Sequence, residues 1–143
     1  MQRHKRWMGP AAVALFLGGW WAGTQQAAGA QSRGRVFEIR TYTANDGKLG
    51  GLHAMFRNDV VRLLEKHGMQ SIGYWAPTDS PQAQNTMIYI VAHQSRDAAK
   101  RSWDDFRNDP EWKKVQQAAD ANGRIVGMVE SVFAEATDYS PLR

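Results

Sequence analysis

Residues 63–75 read LLEKHGMQSIGYW, and this junction decides the fold. Lys66 and His67 sit where a helix would end, with positive charge beside the carbonyl end of the helix dipole. Gly68 then supplies a left-handed stop, having no Cβ to clash. From Met69 to Trp75 the apolar period changes to two, with Ile72 and Tyr74 on one side and Ser71, Gly73 and Trp75 on the other. The stretch is a helix, a stop and a strand.

Upstream, Leu49, Leu52, Phe56, Val60, Leu63 and Leu64 recur at helical spacing, so one stripe can face a sheet. Gly50-Gly51 weakens the first turn by about 1 kcal/mol per glycine relative to alanine. Asn45-Asp46-Gly47 is a turn signal. Before it, residues 35–43 alternate: Phe37, Ile39 and Thr41 share one face, and Val36, Glu38, Arg40 and Tyr42 the other. That period and the β-branched and aromatic content predict a strand.

Downstream, residues 76–85 carry two prolines and polar side chains and read as a loop. Residues 86–93, TMIYIVAH, predict a strand apolar on nearly every position. Ser95 is placed to cap a helix with the stripe Ala99, Ser102, Trp103 and Phe106. Asp109-Pro110 restarts it, with Asp as the cap and Pro at the first helical position. Trp112, Val115 and Ala119 give the next stripe, Asn122-Gly123 ends it, and residues 125–136 predict the last strand. The order is β-α-β-β-α-β, with the second helix broken in two. This is the α+β, ferredoxin-like arrangement, a four-stranded antiparallel sheet with helices on one face.

That arrangement raises a packing problem. A sheet with one wet face should carry polar residues there, but the third strand is apolar front and back. Met87, Tyr89 and Val91 are expected to join Tyr42 and Trp75 on the uncovered side. A second copy packed face to face would bury that patch and give a dimeric α/β-barrel. The competing reading folds the C-terminal tail over the same face.

The charge lies mostly at one end. The chain has 143 residues with 18 Lys+Arg and 14 Asp+Glu, enough for one domain. Arg3, Lys5 and Arg6 precede every acid, and residues 31–143 hold 15 basic and 14 acidic residues, a balance of +1. No basic footprint is left on the domain, so a nucleic-acid partner is not expected. The basic start, the apolar run MGPAAVALFLGGWWAG and Ala28-Gly29-Ala30 predict a signal peptide over residues 1–30, a domain over 31–143, and export to the periplasm or beyond. The alternative is an uncleaved membrane anchor with Trp20 and Trp21 at the interface. The chain has no cysteine, so no disulfide or thiolate metal site forms.

VFEIRTYTANDGKL, LLEKHGMQSIGYW, TMIYIVAHQSRDAA, NDPEWKKV and ATDYSPL run over residues 36–142. In combination they resemble the NIPSNAP family of the dimeric α/β-barrel superfamily. The resemblance implies a ferredoxin-like domain that works as a homodimer.

No HxH, HExxH, G-x-S-x-G, phosphate loop or dinucleotide fingerprint occurs, so neither a metal nor a cofactor is expected. The candidates for chemistry are on the strands. Glu38, Arg40 and Tyr42 share a side of the first, and Tyr89 and His93 share a side of the third, its expected neighbour. Arg40 suits a carboxylate ligand, Glu38 or His93 a base, and Tyr42 a donor. Tyr42, Trp75 and Tyr89 are the candidate ligand-binding residues of the paired interior. The plainer reading pairs Glu38 with Arg40, or either with Glu130, and makes the aromatics core. Trp103, Phe106 and Trp112 fit a binding groove or helix–sheet packing. Two functions stay open: a binding domain for a small hydrophobic ligand or a protein partner, and a cofactor-independent oxygenase or isomerase acting on a small hydrophobic or aromatic compound.

Overall fold

The computed structural model describes residues 34–142; the predicted signal peptide lies outside them. The strands are β1 (Val36–Ala44), β2 (Gln70–Trp75), β3 (Thr86–His93) and β4 (Val126–Glu135). They form one antiparallel sheet in the order β2-β3-β1-β4. Between β1 and β2 run α1 (Leu49–Met55), a π-helical turn (Phe56–Val60) and α2 (Val61–Lys66). Between β3 and β4 run α3 (Arg96–Asn108) and α4 (Pro110–Ala119). The expected element order is therefore the observed one. Among the described residues no helix is long and apolar enough to cross a membrane.

The local punctuation acts where the sequence places it. His67 caps the end of α2 and Gly68 follows at φ 76°. The Ser95 side chain accepts from the Ala98 N–H at 3.0 Å, and Asp109 accepts from the Glu111 N–H at 2.7 Å with Pro110 next in line. Lys66 and His67 each reach the Asp109 carboxylate at 2.7 Å, so one acid caps α4 and ties it to the end of α2.

The expected side of the sheet is corrected. Met87, Tyr89 and Val91 face the helices, not the uncovered side, and all three are buried with Leu52, Phe56, Leu63, Leu64 and Phe106. Tyr42 goes with them, being in register with Met87 and packed against that core. With β3 apolar on both sides, alternation cannot say which side the helices choose; in the fold Trp103 of α3 donates to Glu38, so the Glu38 side of β1 and its register partners on β3 face the helices.

The open face is apolar as well. Phe37, Ile39, Ile88 and Ile90 continue across it to Val132 and Ala134. Trp75, in register with Ile88, is on this face, so it parts from Tyr42. A bulge between Ser71 and Gly73 also breaks the expected alternation of β2. Ile72 is its extra residue and lies by Phe37 and Ile90 on the open side, while Tyr74 is opposite Tyr89 on the helix side. The Trp75 indole folds back over Gly73, where a Cβ would come within 2.6 Å of the ring. The C-terminal tail covers one end only: Ser140 and Leu142 border a hollow of about 180 Å³ with Phe37 and Ile39. Trp75 at 49%, Met128 at 52% and Val132 at 61% exposure remain uncovered.

Candidate functional site

The site is built on the helix side of β1. Three consecutive inward positions of that strand present Glu38, Arg40 and Tyr42, as period two requires. Glu38 is 1% exposed and carries four donors from four elements. Its Oε1 accepts from Arg40 Nη1 at 2.6 Å and Ser131 Oγ at 2.7 Å. Its Oε2 accepts from Trp103 Nε1 at 2.6 Å and lies 2.9 Å from His93 Nε2. A carboxylate this dry stays ionised only if its lone pairs are used. Burial by itself raises the Glu38 pKa, but hydrogen bonds from His93, Ser131, Trp103 and Arg40 outweigh it and hold the group at about 2.

Arg40 faces outward from this hub. Burial works against its charge, yet the Glu38 carboxylate beside it holds the guanidinium above the usual arginine range. It lies 4.2 Å above the Trp103 ring centre, a cation–π contact. Its Nη2 reaches the Tyr42 hydroxyl at 3.5 Å, and the Tyr89 hydroxyl donates to the same oxygen at 3.3 Å. Burial pushes the Tyr89 phenol well above its ordinary pKa, so it remains a neutral donor. Arg40 Nε and His93 Nδ1 are buried with no partner among the described residues.

Two adjoining hollows open above this floor, between the sheet and the helices. One, of about 170 Å³, runs past Tyr42, Phe56, Val60 and Val129 toward Arg124. The other, of about 360 Å³, lies over Arg40, Trp103 and Arg107. Tyr42, Phe106, Trp112 and Gln116 border both, so they form one cleft. Its wall is an aromatic chain: Trp103 and Phe106 are 5.5 Å apart edge to face, and Phe106 and Trp112 are 4.8 Å apart. A few directed polar groups on an apolar wall are what small-molecule sites share.

Glu38, Arg40 and His93 thus come together, and Tyr42 and Tyr89 join them. Arg40 takes Glu38, not Glu130, which is in register with Thr41 on the open face. Trp75 is not part of this cleft, since the thickness of the sheet separates it from Tyr42. Trp103 and Phe106 are buried in the core with Trp112 packed against it, as helix–sheet packing requires, and all three also border the hollow over Arg40. Sequence reading missed Ser131, Gln116 and the π-helical turn, whose Phe56 and Val60 line the cleft beside Met55. Such turns are frequent at functional sites, but the spacing from Phe56 to Val60 fits an ordinary helix equally well.

No curated protein matches this chain. Solved structures share its fold. A NIPSNAP family protein with unknown function from Agrobacterium tumefaciens is 20% identical, with a TM-score of 0.67 over 78% of this chain and 96% of that one. A monooxygenase from the gene ActVA-Orf6 of Streptomyces coelicolor, solved with nanaomycin D, is 17% identical, with a TM-score of 0.53 over 76% of this chain and 92% of that one. SnoaB, a cofactor-independent oxygenase from Streptomyces nogalater, is 13% identical, with a TM-score of 0.51 over 76% of this chain and 98% of that one. The NIPSNAP family model matches residues 37–141, and on that match over most of its length the chain belongs to the NIPSNAP family.

Proposed function

We propose that the chain is an exported domain that binds a small planar hydrophobic molecule in the cleft between α3–α4 and the sheet, and that it works as a homodimer joined through the open sheet face. The observation that carries the binding reading is the aromatic wall of Trp103, Phe106 and Trp112 standing over a fixed Arg40. Glu38 is the positioning residue: with four donors on its two oxygens it holds Arg40 in one place and lends it no freedom to swing. Pairing rests on the uncovered Trp75, Met128 and Val132, a patch that a lone subunit would leave in water.

A native mass spectrum of the full-length chain, expressed in its own host and purified, tests these points together. The expected species is two subunits, each beginning near Gln31, with a retained small molecule that Trp112→Ala loses. A single unprocessed subunit at every concentration removes pairing and export. An empty protein whose tryptophan emission no naphthalene-type aromatic alters removes the cleft reading.

The second reading is a cofactor-independent oxygenase or isomerase. It is supported by the convergence of Glu38, Arg40 and His93 within hydrogen-bond reach and by a fold shared with the two Streptomyces oxygenases. Against it, a general base works best with a pKa near the working pH, and Glu38 is held at about 2. Oxygen uptake together with product analysis on hydroxylated naphthalenes separates the two readings: binding with neither uptake nor a changed product favours the first.

A further inference from the structure

The geometry points to a ligand that is a planar aromatic carrying a hydrogen-bond-accepting oxygen, seated between the Arg40 guanidinium and the Tyr42 hydroxyl. This rests on the cleft being the binding site and goes on to say what the cleft selects.

The direction of the Tyr42 proton is the deciding point. A phenol oxygen has two lone pairs and one proton. Tyr89 is fully buried and its hydroxyl finds a partner in Tyr42, so it donates there. Arg40 has only protons to give, so Nη2 also donates to the Tyr42 oxygen. With both lone pairs of Tyr42 taken, its own proton is left to point elsewhere, and Tyr42 borders both halves of the cleft. Accepting from a cation polarises that O–H and makes it a better donor.

Arg40 adds to the same end. Nη1 is engaged by Glu38, and Nη2, which gives one proton to Tyr42, has a second proton that no described residue takes. The Arg40 end of the cleft therefore presents donors. Asp120 and Arg124 lie together at the other end, with Asp120 Oδ1 taken by the Ile125 N–H at 2.9 Å. Gln116 can serve either sense and does not select. A bare hydrocarbon entering here would strip water from the two donors and return nothing for it. A ring with a carbonyl or carboxylate oxygen at its rim satisfies both while its faces meet Trp112 and Phe106. Because Glu38 balances the Arg40 charge and Asp104 that of Arg107, a neutral carbonyl is sufficient and a net negative ligand is not required.

The test is a set of matched naphthalenes titrated against the full-length chain by calorimetry: 2-acetylnaphthalene, 2-naphthoate and 2-ethylnaphthalene. The acetyl compound should bind about tenfold or more tighter than the ethyl one, the return of one hydrogen bond to a charged donor. Tyr42→Phe, which keeps the ring, should shrink that preference about threefold to tenfold. The carboxylate arm separates the two oxygen sources: naphthoate binding alone makes the seat an anion site, and acetyl binding alone a carbonyl site, with the donor pair supported in both cases. Binding of the ethyl compound as tightly as both oxygen-bearing ones overturns the oxygen seat and leaves the cleft reading standing. Failure of all three to bind, with Trp112→Ala as indifferent as the wild type, overturns the cleft reading and this inference with it.

Discussion

Glu38→Gln should lower the free energy of unfolding by about 3–5 kcal/mol, the range for removing one partner of a buried charge pair. The swap changes little in size and much in hydrogen bonding. Both carboxylate oxygens accept, Oε1 from Arg40 and Ser131 and Oε2 from Trp103 and His93. Whichever way a glutamine amide is turned, its NH2 meets donors, and Arg40 is left buried without its counter-charge. Acid unfolding gives the same residue a second readout. The folded pKa is about 2 against an ordinary 4.5, a depressed carboxylate. Its stabilisation is therefore complete above pH 4.5 and lost as pH falls through 2, amounting to roughly 3 kcal/mol at 1.36 kcal/mol per unit. Asp104, Asp109 and Glu111 are also held below their ordinary values and add to the acid slope, so the informative quantity is the difference between the two proteins. Urea unfolding at a series of pH values should show it narrowing from pH 4.5 to pH 2. A constant difference would mean that Glu38 does not titrate as this hydrogen-bonded hub.

Phe56→Ala should cost about 3–5 kcal/mol, the usual range for truncating a buried phenylalanine. Phe56 is 4% exposed and opens the π-helical turn. Its ring centre lies 5.6 Å from Tyr42, 6.1 Å from Tyr74 and 5.2 Å from Tyr89, so it packs against all three tyrosine rings. Removing it leaves a void that cannot collapse easily, because Tyr89 is pinned through its hydroxyl and stacked on Tyr74. The same void opens into the cleft, so the variant should also accept a bulkier aromatic than the wild type. Thermal unfolding with and without a naphthalene ligand checks both parts; unchanged stability would show that Phe56 is not packed as described.

What could be read in advance was whatever short-range chemistry fixes. Gly68 stops a helix because of its own backbone, and Ser95 and Asp109 cap helices within three residues of themselves; each acts as its neighbours imply. The side of the sheet that the helices would choose was not readable, because Met87-Tyr89-Val91 and Ile88-Ile90-Ala92 are both apolar sets. The bulge at Ile72 left no mark for a different reason: Ser71-Ile72-Gly73-Tyr74 alternates small with apolar residues, which reads as an unbroken strand. At the site, the shared side of Glu38, Arg40 and Tyr42 followed from period two, and so did the nearness of His93. The hub itself did not. Trp103 and Ser131 are 65 and 93 residues away from Glu38 in the chain, and only the closed fold turns an indole N–H and a serine hydroxyl toward that carboxylate.

The Asp109 cap has a consequence for how the molecule breathes. Trp112 and Gln116 reach the cleft from α4, and α4 has no buried residue, whereas α3 buries Ala99, Trp103 and Phe106. Opening free energy follows buried contact, so amide protons of α4 should exchange sooner than those of α3. One end of α4 is moored at Asp109 by Lys66 and His67. Trp112 therefore stands on the least buried helix beside the cleft, above a Glu38 hub that is sealed from solvent.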